Sequence, residues 1–461
     1  MFDGEKAVIE KQIRAYLDSQ DISDPVIEFR QIPFSGEWGL AVPLFPVAAA
    51  ESRAGKKVIV PKRAQELAEG IRAFINVPPK GFSRIDAVNG YLNIYFQTGE
   101  YAHRVMDTVL DEAERYGRAP QRGKTVMVEY SQPNTHKAFH VGHLRNVILG
   151  GSVCRILEFA GYDVVRANYL GDIGLHVIKW MWNYLKNHAG EQPDENKTHW
   201  MNDIYAEADR LFGEPENEAE VRALYARWNA RDPEIVDLWR KTRQWSLEGF
   251  EQIYHLLGES FDKFYFESEV EEEGTVLVEQ LIKSGIAQDE RPDGPVIVDL
   301  DAICGTENEY RILVVLRSDG SSLYATKDLP LAIQKFEDYD LDKSIYVIDV
   351  RQSLYLKQVF KMLAIMGYEW SDRLHHLAYE LVNLPGNVTM ASREGTVVLF
   401  EDLINEATQR AKAIVEEKNP EFTEAAKNEI AQAVALGALK YTMLSRDNTK
   451  VVTFDWDAAL D

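Results

Sequence analysis

The chain has 461 residues, a net charge of −23, 45% hydrophobic and 27% charged residues, and two cysteines. That length fits about three domains; Cys154 and Cys304 alone exclude a disulfide framework and a four-cysteine zinc site. No apolar run is long enough to cross a membrane, and Met1-Phe2-Asp3-Gly4-Glu5-Lys6 lacks the basic and apolar regions of a signal peptide, so the cytoplasm is the expected compartment. The acidic balance lends no support to nucleic-acid binding, which needs a basic face whatever the total charge.

Residues 1 to about 118 read as a separate small α/β unit. Val8, Ile9, Ile13, Tyr16 and Leu17 form a helical stripe, and Pro61 opens a second helix carrying Leu67, Ile71, Phe74 and Ile75. Tyr91 to Phe96 reads as a strand, entered from a turn at Asn89-Gly90. A helix from about Tyr101 to Tyr116 leads to Gly117-Arg118-Ala119-Pro120, a plausible linker.

Thr125 to Tyr130 reads as a strand. Leu144, Val147, Ile148, Cys154 and Leu157 then recur at helical spacing, with Gly161 as a stop. His140 and His143 therefore sit where a loop turns into a helix, whose free N–H groups and dipole suit phosphate. Gly142 leaves room there for a flat base. By itself His-x-x-His reads equally as a zinc-like pair or as ordinary helix-start histidines. A second strand, Asp163 to Tyr169, runs into the glycine-punctuated loop Asn168 to His176. Alternating strand and helix implies a parallel sheet, with ligands at the carboxyl ends of its strands.

From about 187 to 284 the pattern is helical, and we read an insertion between the two halves of the sheet. Its tryptophans, Trp200, Trp228, Trp239 and Trp245, read as helix-packing residues. Arg311 to Leu316, the Asp319-Gly320 turn and Leu323 to Thr326 read as a hairpin, and Ser344 to Val350 as a further strand. Leu384 to Gly395 is a glycine-flanked loop, and residues 401–417 and 423–444 are helical.

Strand, Pro-Asn loop, His140-Val141-Gly142-His143 and amphipathic helix together resemble the first signature of class I aminoacyl-tRNA synthetases. Glu129-Tyr130-Ser131-Gln132-Pro133-Asn134 and Leu144-Arg145-Asn146 resemble the arginyl-tRNA synthetases in particular, and so does Asn168-Tyr169-Leu170-Gly171-Asp172-Ile173-Gly174. Met390-Ala391-Ser392-Arg393-Glu394-Gly395 resembles the second class I signature, with Thr389 where its first lysine would stand. The resemblance runs from about Asn89 to Asp461. It implies an α/β fold: a Rossmann-like catalytic domain over 119–385 with a helical insertion at about 187–284. A small N-terminal domain, 1–118, resembles one that binds the tRNA elbow. The stretch 386–461 would hold the second-signature loop and the start of a helical anticodon-binding domain, entered at Phe454 to Leu460 and mostly missing.

The activity implied is arginine–tRNA ligation: ATP activates L-arginine to arginyl-adenylate, and the arginyl group passes to tRNA(Arg) for protein synthesis. His140 and His143 would donate to phosphate oxygens, and Lys137 and Arg393 would hold the leaving pyrophosphate. Gly142, Met390 and Ser392 complete the expected ATP site. Glu129 and Asp328 would face the guanidinium with Tyr324 alongside, while Gln132, Asn134 and Gln352 would hold the α-amino and carboxylate ends. Asn89, Tyr91 and Asn93 are the expected tRNA contacts. Magnesium would arrive with ATP, with no protein metal site, and the expected working unit is a monomer. Two alternatives stay open: a divergent or truncated synthetase-like RNA-binding protein without full charging activity, and a small-molecule nucleotidyltransferase with the same histidine signature.

Overall fold

A computed structural model describes residues 3–32, 37–193, 195–384, 388, 389 and 398–453. The chain divides into two compact units, Met1–Gly117 and Arg118–Asp461. The first holds α1 (Asp3–Ser19), β1 (Gly39–Pro43), α2 (Phe45–Arg53), α3 (Val60–Ile75), β2 (Phe82–Val88), β3 (Tyr91–Phe96) and α4 (Thr98–Glu112). Its antiparallel sheet runs β1-β3-β2. Leu92, Ile94 and Phe96 share one core with Ile9 and Ile13 of α1 and Leu67 and Ile71 of α3. Asn89 and Gly90 both adopt positive φ, 49° and 79°, the backbone that closes a tight hairpin between twisted strands.

The second unit begins with β4 (Thr125–Glu129), α5 (Val141–Phe159), β5 (Asp163–Leu170), α6 (Leu175–Asn187), α7 (Lys197–Leu211), α8 (Pro215–Asn229), α9 (Pro233–Leu257) and β6 (Lys263–Phe266). There follow α10 (Glu267–Lys283), β7 (Gln288–Asp289), β8 (Val296–Asp299), α11 (Leu300–Cys304), β9 (Ile312–Leu316) and α12 (Tyr324–Asp338). Then come β10 (Lys343–Asp349), α13 (Ser353–Ile365), β11 (Leu374–Tyr379), β12 (Val382–Leu384), β13 (Val388–Thr389), α14 (Phe400–Lys418), α15 (Glu424–Leu444) and β14 (Val452–Thr453). The central sheet has the order β11-β10-β4-β5-β6, and each neighbouring pair is parallel. Val126, Met127 and Val128 are all buried, as a strand covered on both faces requires. Strand order reverses between β4 and β10, which opens a crevice at their carboxyl ends.

Two expectations fail locally. The stretch 187–284 contains β6, which pairs in parallel with β5. The helices α7, α8 and α9 therefore belong to the β5–β6 crossover, and the two halves of the sheet are separated instead by α10, the small antiparallel sheet β7-β8-β9 and α12. Four residues, Lys-Phe-Tyr-Phe, were too short a strand to stand out between helices. The tryptophans do pack, in a core with Trp180, Met201 and Val221.

The second failure is the hairpin after β9. Its return arm is one bridge, Leu316 to Ser322, and Tyr324 already opens α12. The Thr326 hydroxyl accepts from Leu323 N at 2.9 Å and caps the helix, while Ala325, Leu329 and Ala332 supply a buried helical face. Asp328 thus lies in the second turn of a helix.

Pro330, inside α12, has no N–H to give the Thr326 carbonyl one turn back. Gly274 brings α10 against that oxygen, where an added Cβ would overlap it. Because the obstacle is backbone, it cannot swing aside. Gly274→Ala is expected to lower stability by about 1–3 kcal/mol, read as the urea unfolding midpoint. An unchanged midpoint would show that the two helices part without penalty.

Candidate active site

The loop leaving β4 has few ladder bonds and is held largely by side chains. Ser131, Gln132 and His136 all adopt positive φ, 78°, 51° and 62°, conformations that cost a non-glycine residue about 1–3 kcal/mol each. Asn146, on the buried face of α5, accepts from Ser131 N at 2.6 Å and donates to Val347 O at 2.7 Å, tying the ends of β4 and β10 together. Asn168 accepts from Gln132 N at 3.1 Å and donates to the Tyr254 hydroxyl at 3.0 Å. Thr135 N bonds Gly171 O, and a Cβ on Gly171 would overlap Asn134 Oδ1. His136 is fully buried between the Thr135 and Thr242 hydroxyls, 2.9 and 2.8 Å from its two ring nitrogens.

At the end of this loop His140 caps α5. Its Nδ1 accepts from Gly142 N at 3.1 Å and His143 N at 3.4 Å, while His143 Nδ1 accepts from His140 N at 3.3 Å. The rings stack at 3.9 Å between centroids. Backbone amides can only donate, so each Nδ1 must be unprotonated and each neutral ring carries its proton on Nε2. Burial holds the His140 imidazole down to about 4, with the Lys137 and Arg351 charges adding to it. Burial likewise keeps His143 well below its ordinary value. The pair is therefore two neutral Nε2–H donors. Gly142 is needed here for a reason sequence did not suggest: a Cβ would crowd the His140 ring itself.

Across the sheet lies an acidic cluster. Glu129 ends β4 almost fully buried and ion-pairs with Lys335 of α12, also fully buried. Its other oxygen accepts from Gln132 Nε2 at 3.0 Å. Burial opposes the Lys335 charge, but Glu129 and the nearby Tyr346 outweigh it and raise the ammonium's pKa. Glu267, the first residue of α10, accepts from Lys327 at 2.6 Å. Asp172 accepts from Ser268 N and hydroxyl at 2.9 and 2.7 Å and pairs with Arg243 at 3.3 Å. Asp328 differs. Among the described residues no cation pairs with it, and its hydrogen bond comes from the Tyr355 hydroxyl at 2.5 Å. Burial pushes its carboxyl up to about 7; the Tyr355 bond works against this, and Glu129 and Glu267 reinforce it.

A cleft of about 1030 Å³ opens beside the cluster, its wall including Asn134, Lys137, His176, Glu267, Tyr324 and Lys327. Of the residues expected from sequence, Asn134, Lys137 and Tyr324 thus face one cleft, and Glu129 and Asp328 stand in one acidic cluster. Lys335 and Gln132 each engage one oxygen of Glu129, which leaves each oxygen a further lone pair. Gln352 is exposed at the end of the short turn after β10, with no recorded bond to Gln132 or Asn134. Lys137 lies 5.0 Å from the Tyr205 ring. In the first unit Asn89 is exposed, but Asn93 is buried, so its side chain is not presented to a partner. Met390, Ser392 and Arg393 lie outside the described residues, as do the side chain of Thr389 and Phe454 to Leu460.

Sequence reading quoted Asn146 without giving it a role, and missed Lys335, Glu267, Lys327 and Tyr355. Asn146 was a polar residue inside an apolar helical stripe, and Lys335 lies seven positions after Asp328, two turns along the same helix face. Those two signals were available; the α10–α12 pair had none. The role of Arg145, quoted only as part of a motif, was not legible either. It is buried and donates to backbone carbonyls alone: Glu380 O at 2.5 Å, Leu381 O at 3.0 Å and Lys450 O at 3.4 Å.

The family model "tRNA synthetases class I (R), catalytic domain" matches residues 105–456. The chain is 35% identical over 454 residues to an arginine–tRNA ligase of Bdellovibrio bacteriovorus, covering 96% of this chain and 74% of that one. It is 34% identical over 460 residues to the arginine–tRNA ligase of Clostridium perfringens, covering 99% and 77%. The structure is similar to Thermus thermophilus arginyl-tRNA synthetase with a TM-score of 0.64 and 27% identity, over 99% of this chain and 78% of that one. The Plasmodium falciparum arginyl-tRNA synthetase, at 20% identity and a TM-score of 0.63, shares the fold.

Two measurements test the geometry. At pH 7 the ring nitrogens of His140 and His143 should report neutral Nε2–H tautomers by ¹⁵N NMR; an imidazolium or an Nδ1–H ring would break the assignment. Removing one partner of a buried ion pair typically costs about 3–5 kcal/mol, so Lys335→Met should destabilise on that scale in urea unfolding. Adding Glu129→Gln to that variant should recover much of the loss. No recovery would mean that Lys335 acts through packing and not charge.

Proposed function

The chain belongs to the class I tRNA synthetases of the arginine (R) type, and we propose that it activates L-arginine with ATP and transfers it to tRNA(Arg). The observation that carries the arginine pocket is the odd carboxylate: Glu129, Glu267 and Asp172 each have a cation, and Asp328 has a tyrosine hydroxyl. A guanidinium offers a planar fork of donors that matches one carboxylate and brings the missing charge. Asp328 is its acceptor in this reading. Glu129 acts at one remove, fixing Lys335 and Gln132 while its charge adds to the field. Tyr324 flanks the fork, and Asn134, Gln132 and Gln352 take the α-amino and carboxylate ends.

The first step forms a bond from arginine's carboxylate to the α-phosphorus and breaks the bond to pyrophosphate; in the second, the terminal ribose hydroxyl of tRNA displaces AMP from the arginyl carbonyl. ATP supplies the electrophile and the leaving group. The protein's part is positioning and charge stabilisation. The Nε2–H groups of His140 and His143 are neutral donors suited to phosphate oxygens, and their position at the start of α5 adds the helix's own amides and dipole. Lys137, whose charge already depresses both histidines, holds departing pyrophosphate together with Arg393. Gly142, Met390 and Ser392 complete the nucleotide site. Among the described residues no cluster of three ligating side chains could hold a metal ion; magnesium comes with the triphosphate. The unit Met1–Gly117 contacts tRNA through Asn89 and Tyr91.

Arginine-dependent pyrophosphate exchange in the presence of tRNA tests the reading, and its pH dependence tests the pocket. A guanidinium binds the ionised form of Asp328, so affinity is full well above pH 7, is about halved near it and falls further below as protons compete. For a carboxyl at about 7, the apparent arginine KM should rise about tenfold at pH 6. Asp328→Asn should weaken arginine at every pH, flatten that profile and leave ATP little affected. A profile unchanged by the substitution would assign the pH dependence, and the pocket, to another group.

A further inference from the structure

Tyr169 stands at the carboxyl end of β5, and its ring packs on the small core of Met127, Val165 and Tyr265. Its hydroxyl is buried without a hydrogen-bond partner among the described residues. That is unusual, because a buried polar atom left unpaired costs about 1–3 kcal/mol. The surroundings make it more so. Asp328, Glu267, Glu129 and Asp172 all lie close enough to act on it electrostatically, and burial together with their charges holds the phenol neutral. Four carboxylates lie around the hydroxyl, yet it donates to none of them.

A guanidinium has five N–H donors in one plane, and a carboxylate in a fork takes two of them. The remaining donors need acceptors that do not worsen an already acidic cluster. A neutral phenol oxygen is such an acceptor, since it adds a lone pair without adding charge. We propose that the Tyr169 hydroxyl is a specificity contact of the amino-acid pocket, accepting a hydrogen bond from guanidinium N–H groups that Asp328 does not take. This rests on assigning arginine to the Asp328 pocket. In this reading the substrate supplies the phenol oxygen with a donor that the described residues do not.

The test separates a ligand contact from a structural one. The 461-residue protein, Tyr169→Phe and Asp328→Asn are each titrated with L-arginine and with ATP, and their thermal midpoints are recorded without ligand. A hydroxyl that has no internal partner stabilises nothing, so the midpoint of ligand-free Tyr169→Phe should equal or exceed that of the parent. Its arginine affinity should fall about 10–100-fold, the range for a hydrogen bond to a charged group, with ATP affinity unchanged. Full arginine affinity in Tyr169→Phe, alongside a loss in Asp328→Asn, overturns the inference and leaves the pocket standing. A lowered ligand-free midpoint also overturns it, because the hydroxyl then has a structural partner. Failure of the parent to bind L-arginine removes both the inference and the pocket on which it rests.

Discussion

The loop between β4 and α5 cannot hold its own shape, and the site depends on what holds it. Three left-handed residues within six would relax if nothing opposed them. Asn146 from α5, Asn168 from β5 and Ser246 from α9 each supply a side-chain oxygen to one of its amides. At its far end, backbone bonds from Val141 to Val398 and from Phe400 to Phe139 lace it to the entry of α14. Every element that meets the loop therefore contributes to where His140 and His143 stand. A side chain that satisfies an otherwise unpaired amide in a dry interior is costly to lose, so the geometry is defined by many modest bonds that must all be present together.

The acidic cluster obeys a related constraint. Charges removed from water need partners, and here each comes from an element other than its carboxylate's own: Lys335 and Lys327 from α12, Arg243 from α9. The helix α12 thus carries two of the cations and also Asp328, the carboxylate without one. Its close approach to α10 at Gly274 keeps Lys327 within reach of Glu267. Packing between two helices and the electrostatics of a pocket are here the same arrangement.

Much of this could be read from the sequence. The strand, loop and helix from Thr125 to Phe159 have a strong period and clear punctuation, and Asn168-x-x-Gly171-Asp172 announces its turn. Leu323 to Thr326 was misread because Asp319-Gly320 favours a hairpin and the residues after it are ambiguous in period; the Thr326 cap and the burial of Leu329 decided for helix. β6 was hidden by its brevity. The partners within the cluster were beyond reach for a different reason. An ion pair such as Glu129–Lys335 spans more than two hundred positions, and no local pattern records which lysine returns to which carboxylate.

Arg145 carries a consequence of another kind. Burial lowers the proton affinity of this guanidinium, and the nearby Tyr379 and Glu380 offset that only in part; its hydrogen bonds go to the carbonyls of residues 380, 381 and 450. Carbonyls belong to every residue type, so the hydrogen bonds of the clamp survive a change of side chain at those three positions, and Arg145 itself cannot change. The clamp joins α5 to the stretches that lead into β12 and β14, yet its hydrogen bonds prescribe no side chain on the far side. Paired substitution between distant positions, the usual trace of contact in a family of sequences, would leave this joint unrecorded.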